Sequence, residues 1–391
     1  MECINRFEQI YGKSPDAISF CPYRVCPIGA HSDHNLGKIT GFAIDKGINI
    51  AYKIKRNGVI ELASLQFSKR AQWHVRGVDE SKQGDWADYL RGITLELAAR
   101  YPLVYGISGV IEGSLPIGGL SSSAAVCIAF AKALCSVNGI KLEAKELITI
   151  AVAAENNYVG VSCGKLDQSC EVYSRKGNLL YLDCSDDSYE LIPVPENMPQ
   201  FKIAVFFSGV ERSLAGSAFN MRVDEARSAA YALKAFAGLP YGKFKETNLR
   251  DLDPELYARY RMQLPENWRK RADHWFGEFS RVCEGAEAFR RGDIVRYGQL
   301  SFESGQSSID LWETGSPELK TLYEIMKRTD GIYGGRFSGA GFKGCCMALI
   351  DPAFEKSIFR TVREEYLKAF PLLESKYMAV ICDTADGVTI Q

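Results

Sequence analysis

Residues 18–65 alternate between apolar and polar positions, which is the period of half-buried strands. The alternation runs through Ile18-Ser19-Phe20, breaks over a polar turn at residues 31–37, and resumes across residues 47–54 and 58–63. Spacing then changes to the helical 3.6 after Trp86, over residues 89–100. Residues 106–113 predict a strand that feeds a glycine-serine turn. Apolar positions on every face predict a buried helix at 124–137, and a second helix is predicted at 144–158. Strands are predicted at 179–183 and 201–207, separated by the proline-rich stretch 192–199. That stretch marks the expected boundary between domains 1–199 and 200–391. Beyond it come long helical patterns at 221–236, 268–291 and 316–327, then strands at 344–350 and 377–382. The expected class is α+β in both halves.

Composition narrows the function classes. A chain of 391 residues exceeds one ordinary core, and 46% hydrophobic with 24% charged residues is a globular balance. A net charge of −1, without long runs of either sign, argues against nucleic-acid and membrane-surface partners. The first residues, Met1-Glu2-Cys3-Ile4-Asn5-Arg6, lack the apolar core of a signal peptide, so a cytoplasmic location is expected. The 12 cysteines are scattered without CxxC spacing, as reduced buried thiols would be. His31 and His34 lack the Cys/His neighbours that a zinc site needs.

Three segments carry candidate chemistry. In Pro116-Ile117-Gly118-Gly119-Leu120-Ser121-Ser122-Ser123-Ala124, paired glycines run into three serines at a helix start. Glycine lets backbone amides approach a ligand, and the helix N-terminus offers spare N–H groups to an anion such as phosphate. The plainer alternative is a Ser-capped helix, since no Gly-Lys-Ser/Thr closes the loop. The second segment, Arg24 through Gly29-Ala30-His31-Ser32-Asp33-His34-Asn35, gathers a cation, a carboxylate, two imidazoles and an amide, the groups that grip sugar hydroxyls. A polar turn capping itself is the alternative there. The third, Arg336-Phe337-Ser338-Gly339-Ala340-Gly341-Phe342-Lys343-Gly344, precedes a strand, so its glycines predict a tight loop over a ligand and not a dinucleotide fold.

Taken together these segments resemble the GHMP kinases, and within them the galactokinase group. The likeness extends to Trp86 and Tyr89, Ala154-Glu155 through Tyr158 and Gly160, Gly164, Asp167 and Gln168, Lys270 through Glu278, and Ser316-Pro317-Glu318-Leu319. It implies a ribosomal-protein-S5-like first domain, a ferredoxin-like second domain, and a site in the cleft between them. ATP would lay its phosphates on Gly118, Gly119, Leu120, Ser121, Ser122, Ser123 and Ala124. Mg2+ would sit at Ser123 and Glu155. Asp167 would face the attacking hydroxyl with Arg24 as its cationic partner. Ala30, His31, Asp33, His34, Phe219, Gly339 and Gly341 would surround the sugar of a monomeric enzyme.

Departures from the group's pattern bear on the substrate. Ala30 stands where galactokinases carry a glutamate facing the C6 hydroxyl, His34 replaces a tyrosine, and Lys343 replaces a glycine. Losing an acid at C6 removes repulsion toward a uronate, which at about 4 Å costs about 4 kcal/mol at an effective dielectric of 20. The same departures resemble the galacturonokinases of this clan, as does Asn220-Met221-Arg222-Val223. Phe219 is an exception, since a tyrosine is usual there. The expected substrate is therefore D-galacturonate, phosphorylated at its anomeric hydroxyl. D-galactose and a non-catalytic sugar sensor stand as alternatives. Arg212, Arg222 and Lys343 are the candidate partners for a C6 carboxylate.

Overall fold

The computed structural model describes the chain apart from residues 211–215, and side chains apart from those of 216 and 217 as well. Arg212 therefore lies outside the described residues. Two sheets organise the rest.

The larger, eight-stranded sheet runs in the order Thr389–Ile390, Ala17–Val25, Lys38–Lys55, Gly106–Gly113, Val59–Ser64, Ala71–His74. Asn178–Asp183 pairs with the start of the long Lys38–Lys55 strand and carries Tyr189–Pro193 at its other edge. Pairing is antiparallel except where Val59–Ser64 runs parallel to Gly106–Gly113. The helix Ser122–Val137 packs on this sheet with Ala125, Ile128, Phe130 and Leu134 all sealed from solvent. Its apolar girth is what a helix buried on all sides requires. The second sheet is antiparallel, in the order Met378–Cys382, Lys202–Phe207, Cys345–Ile350, Ile332–Phe337. Helices Ile294–Asp310, Pro317–Lys327 and Glu355–Ala369 cover it around Leu322, Tyr323, Met326, Ile358 and Val362. The 25-residue helix Glu266–Arg290 lies between the two halves, touching Gly216–Phe236, Ile294–Asp310 and the Lys38–Lys55 strand.

The expected α+β class with two sheets is what the chain adopts. Several boundaries differ for local reasons. The helix expected over 144–158 is α-helical only for Ala144–Ala153 and continues as a π turn, Ala154–Val159, ended by Gly160 at φ 85°. The proline-rich stretch begins inside a strand, because the backbone of Tyr189–Pro193 completes a hairpin with Asn178–Asp183. The glycine loop of the third segment is the tip of a hairpin between Ile332–Phe337 and Cys345–Ile350, closed by Ser338 N–H donating to the Cys345 carbonyl at 3.0 Å. Helices Glu2–Tyr11, Ile294–Asp310 and Glu355–Ala369 were not among the expectations.

Candidate active site

A cleft of about 190 Å³ opens where the glycine-serine turn, the polar turn after Ala17–Val25 and the glycine hairpin converge. Each wall has a local cause. Gly118 and Gly119 adopt φ 136° and 85°, and Ser121 is left-handed at 58°. Such angles are routine for glycine and uncommon for serine, so the turn is held by its contacts. Ser121 occupies the N-cap position of Ser122–Val137 but makes no side-chain cap. Its hydroxyl donates instead to Asp167 Oδ2, leaving the helix's first amides without a side-chain acceptor. The Ser-capped alternative is thereby set aside for this serine.

Asp167 and Arg24 meet as an ion pair, Nε to Oδ1 at 2.7 Å, across 143 positions of sequence. Arg24 Nη1 donates to the Gly119 carbonyl at 3.1 Å and to Ser338 Oγ at 3.4 Å. One guanidinium thus joins the acid, the phosphate-type loop and the second-half hairpin. Burial disfavours its charge, but the Asp167 carboxylate outweighs that and holds Arg24 protonated, above the ordinary range. Glu155, on the π turn, is 4% exposed and accepts from Gln168 Nε2 at 2.5 Å. Burial, then the nearby Asp167 charge, pushes Glu155 up to about 7, with bonds from Ser123, Cys163 and Gln168 opposing. Asp33 accepts from Leu166 N–H at 3.0 Å and is raised to about 6 by burial, with Asp167 adding to it. Two further carboxyls beside the ion pair make the pocket locally acidic. Glu171, one helical turn past Asp167 in Leu166–Tyr173, is fully buried, and neither of its side-chain oxygens has a hydrogen-bond partner. Burial first and Asp167 next raise it far above the usual carboxylate range, so it is neutral.

The polar turn supplies the opposite wall. Ala30 is 8% exposed and lines the cleft, its carbonyl accepting from His274 Nε2 at 3.0 Å. Beside it, Gly29 N–H donates to Glu278 Oε1 at 2.6 Å. Arg281, His274 and Arg336 outweigh burial and hold Glu278 down at about 2. Glu278 is not among the cleft-lining residues, while Asp33, on the same turn as Ala30, is. His31 lines the cleft with a buried, unpartnered Nε2 and stacks on Trp312 at 5.1 Å and 7°. Burial, then Arg336 and His274, keep His31 neutral.

Most of the expected site residues converge here: Arg24, Asp167, Ala30, His31, Asp33, Gly118, Gly119, Ser121, Ser122, Ser123, Glu155, Phe219 and Gly339 all face the cleft. Leu120 and Ala124 are buried beneath the loop. His34 stands behind the wall, stacked on Trp312 at 5.2 Å with Nδ1 beside Asn35 Nδ2 at 2.9 Å. Burial lowers it to about 3, so it is neutral and brings no charge to the sugar side. Gly341 also lies outside the cleft, its carbonyl accepting from Gly315 N–H at 2.8 Å. Arg222 is spent on three carbonyls, those of Trp312, Ala218 and Glu313, at 2.7, 2.9 and 2.8 Å. It is therefore not free for a sugar carboxylate. Trp312 was missed, since a single tryptophan past a helix end gives no periodic signal. Cys163, whose Sγ lies 3.7 Å from Glu155 Oε2, was missed as well, and Gly164, packed on Asp33, was seen only as part of a motif.

Comparison with known proteins accounts for this arrangement. Residues 88–175 match the GHMP kinases N terminal domain, 286–368 the GHMP kinases C terminal, and 5–54 the galactokinase galactose-binding signature. A galacturonokinase of Arabidopsis thaliana is 34% identical, the match covering 94% of this chain and 92% of that protein. A galactokinase of Roseiflexus sp. is 32% identical over 99% of this chain and 96% of its own length. The crystal structure of Lactococcus lactis galactokinase complexed with galactose superposes with a TM-score of 0.90 at 26% identity, covering 99% of this chain and 98% of that one. Methanococcus jannaschii mevalonate kinase, at 17% identity and a TM-score of 0.66, shares the fold. The ion pair, the uncapped glycine-serine loop and the two-sheet fold thus belong together: the chain is a member of the GHMP kinases, in the galactokinase and galacturonokinase group, and is a phosphotransferase with an alcohol acceptor.

Proposed function

We propose that the protein phosphorylates the anomeric hydroxyl of D-galacturonate, with ATP as donor and Mg2+ as the accompanying cation. The observation that carries the choice of sugar is the wall at Ala30, a methyl group on a fixed backbone, with the neighbouring Glu278 turned onto the Gly29 amide and out of the cleft. His31 Nε2, buried and without a partner, is a neutral ring nitrogen open to a hydrogen bond within that wall. The 34% identity to a galacturonokinase supports the same reading. Glu155 and Ser123 fit a divalent ion, because a buried carboxyl raised to about 7 beside Asp167 gains most from a neighbouring cation. Bound there, the ion would neutralise charge on the donor's phosphates.

The chain's own residues account for the rest. Unspent amides at the start of Ser122–Val137 cradle phosphate oxygens. Asp167, fixed by Arg24 and Ser121, orients the sugar hydroxyl and takes its proton late, since a loose transition state demands little prior deprotonation. Arg24 stabilises charge spreading over the transferring group. All 12 cysteines are free, which supports a reducing location such as the cytoplasm. D-galactose is the second reading, favoured by the galactose-binding signature over residues 5–54. An ADP-release assay over galacturonate, galactose and glucuronate tests both, and turnover on galactose with none on galacturonate would refute the uronate choice.

A further inference from the structure

We propose that Lys343 binds the phosphate chain of the nucleotide and does not read the sugar's C6 group. This deepens the kinase reading above and rests on it. The hairpin tip that carries Lys343 sits backbone to backbone on the phosphate-type loop. A Cβ on Gly344 would lie 2.7 Å from the Gly118 carbonyl carbon, and one on Gly339 would lie 2.9 Å from the Gly119 carbonyl oxygen. Cys345 Sγ adds a 3.5 Å contact to the Gly118 carbonyl. The Gly344 carbonyl is clamped by both the N–H and the hydroxyl of Ser208 at 2.8 Å, which fixes the chain one residue from Lys343. On its other side, Phe342 lies under the Arg222 guanidinium at 5.2 Å.

Lys343 lines the cleft, half-buried, with no carboxylate partner among the described residues. Charge makes the assignment specific. The described cleft-lining cations are Arg24 and Lys343, and Arg24 is already tied to Asp167, Gly119 and Ser338. A triphosphate on a loop that lacks its own lysine leaves most of its charge uncompensated. An ammonium reaching in from the facing hairpin supplies that compensation as a compact point charge. The wall meant for C6, at Ala30 and His31, is built instead on His274, Glu278 and Trp312.

The test is calorimetric binding of AMP-PNP and of AMP, with steady-state kinetics on galacturonate, for wild type, Lys343→Met and Lys343→Arg. We expect Lys343→Met to weaken AMP-PNP binding roughly 10- to 100-fold. AMP affinity and the sugar KM should stay within about twofold, and Lys343→Arg should recover most of the loss. Unchanged AMP-PNP affinity overturns the proposal, whether the galacturonate KM rises, which returns Lys343 to the C6 carboxylate, or stays put. Because AMP-PNP binding needs no turnover, a wild type inactive on every sugar would sink the kinase reading separately.

Discussion

Replacing Ala30 by glutamate restores the acid that galactokinases carry, and the structure sets the size of the effect. The backbone at this point cannot yield: the Ala30 carbonyl is held by His274 at 3.0 Å and the Gly29 amide by Glu278 at 2.6 Å. A longer side chain must therefore project into the cleft, which already holds Asp33, Glu155 and Asp167. Two like charges about 4 Å apart repel by about 4 kcal/mol at an effective dielectric of 20, roughly a thousandfold in affinity. Water entering the open cleft halves this to about 2 kcal/mol, roughly thirtyfold. Ala30→Gln has nearly the same volume without the charge. ADP-release kinetics should therefore give a kcat/KM on galacturonate some 30- to 1000-fold lower for Ala30→Glu than for Ala30→Gln, while galactose is spared or improved. Equal losses in the two variants would show that volume alone matters. Galacturonate turnover within threefold of wild type in Ala30→Glu would show that C6 is read elsewhere.

Three further outcomes follow from the carboxyls. Asp167→Asn should cut kcat by about 10²- to 10⁴-fold and leave sugar affinity, measured by equilibrium dialysis, within a few-fold; near-normal turnover would remove Asp167 from its role. A divalent ion at the proposed Glu155 site would have to displace the proton held there near 7, so Mn2+ affinity without nucleotide should weaken about tenfold per pH unit below about 7. Proton relaxation measured between pH 5.5 and 8 reads this, and Glu155→Gln should abolish the dependence. Glu171 is protonated when folded and ionised when unfolded, so unfolding releases a proton above the ordinary glutamate pKa. Stability should consequently fall as pH rises, by up to about 1.4 kcal/mol per unit until the folded pKa is reached. Urea unfolding at pH 5 to 8 should show Glu171→Gln flattening that slope, and an unchanged slope would count against a neutral Glu171.

The sequence exposed the parts of this site that are written locally. Paired glycines before Ser121 and the cluster from Arg24 to Asn35 carry their chemistry within a dozen residues, and both line the cleft. The strand at residues 201–207 was legible because residues 203–207 form a short, continuous apolar run. What stayed hidden depends on distant partners. Ser121 looks like a helix cap until Asp167 arrives from 46 positions away to claim its hydroxyl. Arg222 looked free because the carbonyls of Trp312 and Glu313 that absorb it lie some 90 residues on. The helix Ile294–Asp310 escaped because its buried face is made of Gly298, Ser301, Ser304, Gly305 and Ser308 as much as of apolar residues. Those small residues let it approach the Ile332–Phe337 strand closely, as a Cβ on Gly305 meeting Arg336 Cβ at 3.1 Å indicates.

The glycine-on-glycine contact between residues 118–119 and 339–344 has a mechanical consequence. Two bare backbones touching across the halves resist compression, because atoms already stand at contact distance. Apolar side chains of both halves, among them Phe42, Ile44, Val205 and Met347, share one core behind that seam. The Arg24 guanidinium, bonded to Gly119 on one side and Ser338 on the other, is the pin through it. An anion bound at Arg24 would therefore bear on both halves at once. The group proposed to steady the transferring phosphate is thus also the one that ties the glycine-serine loop to the facing hairpin.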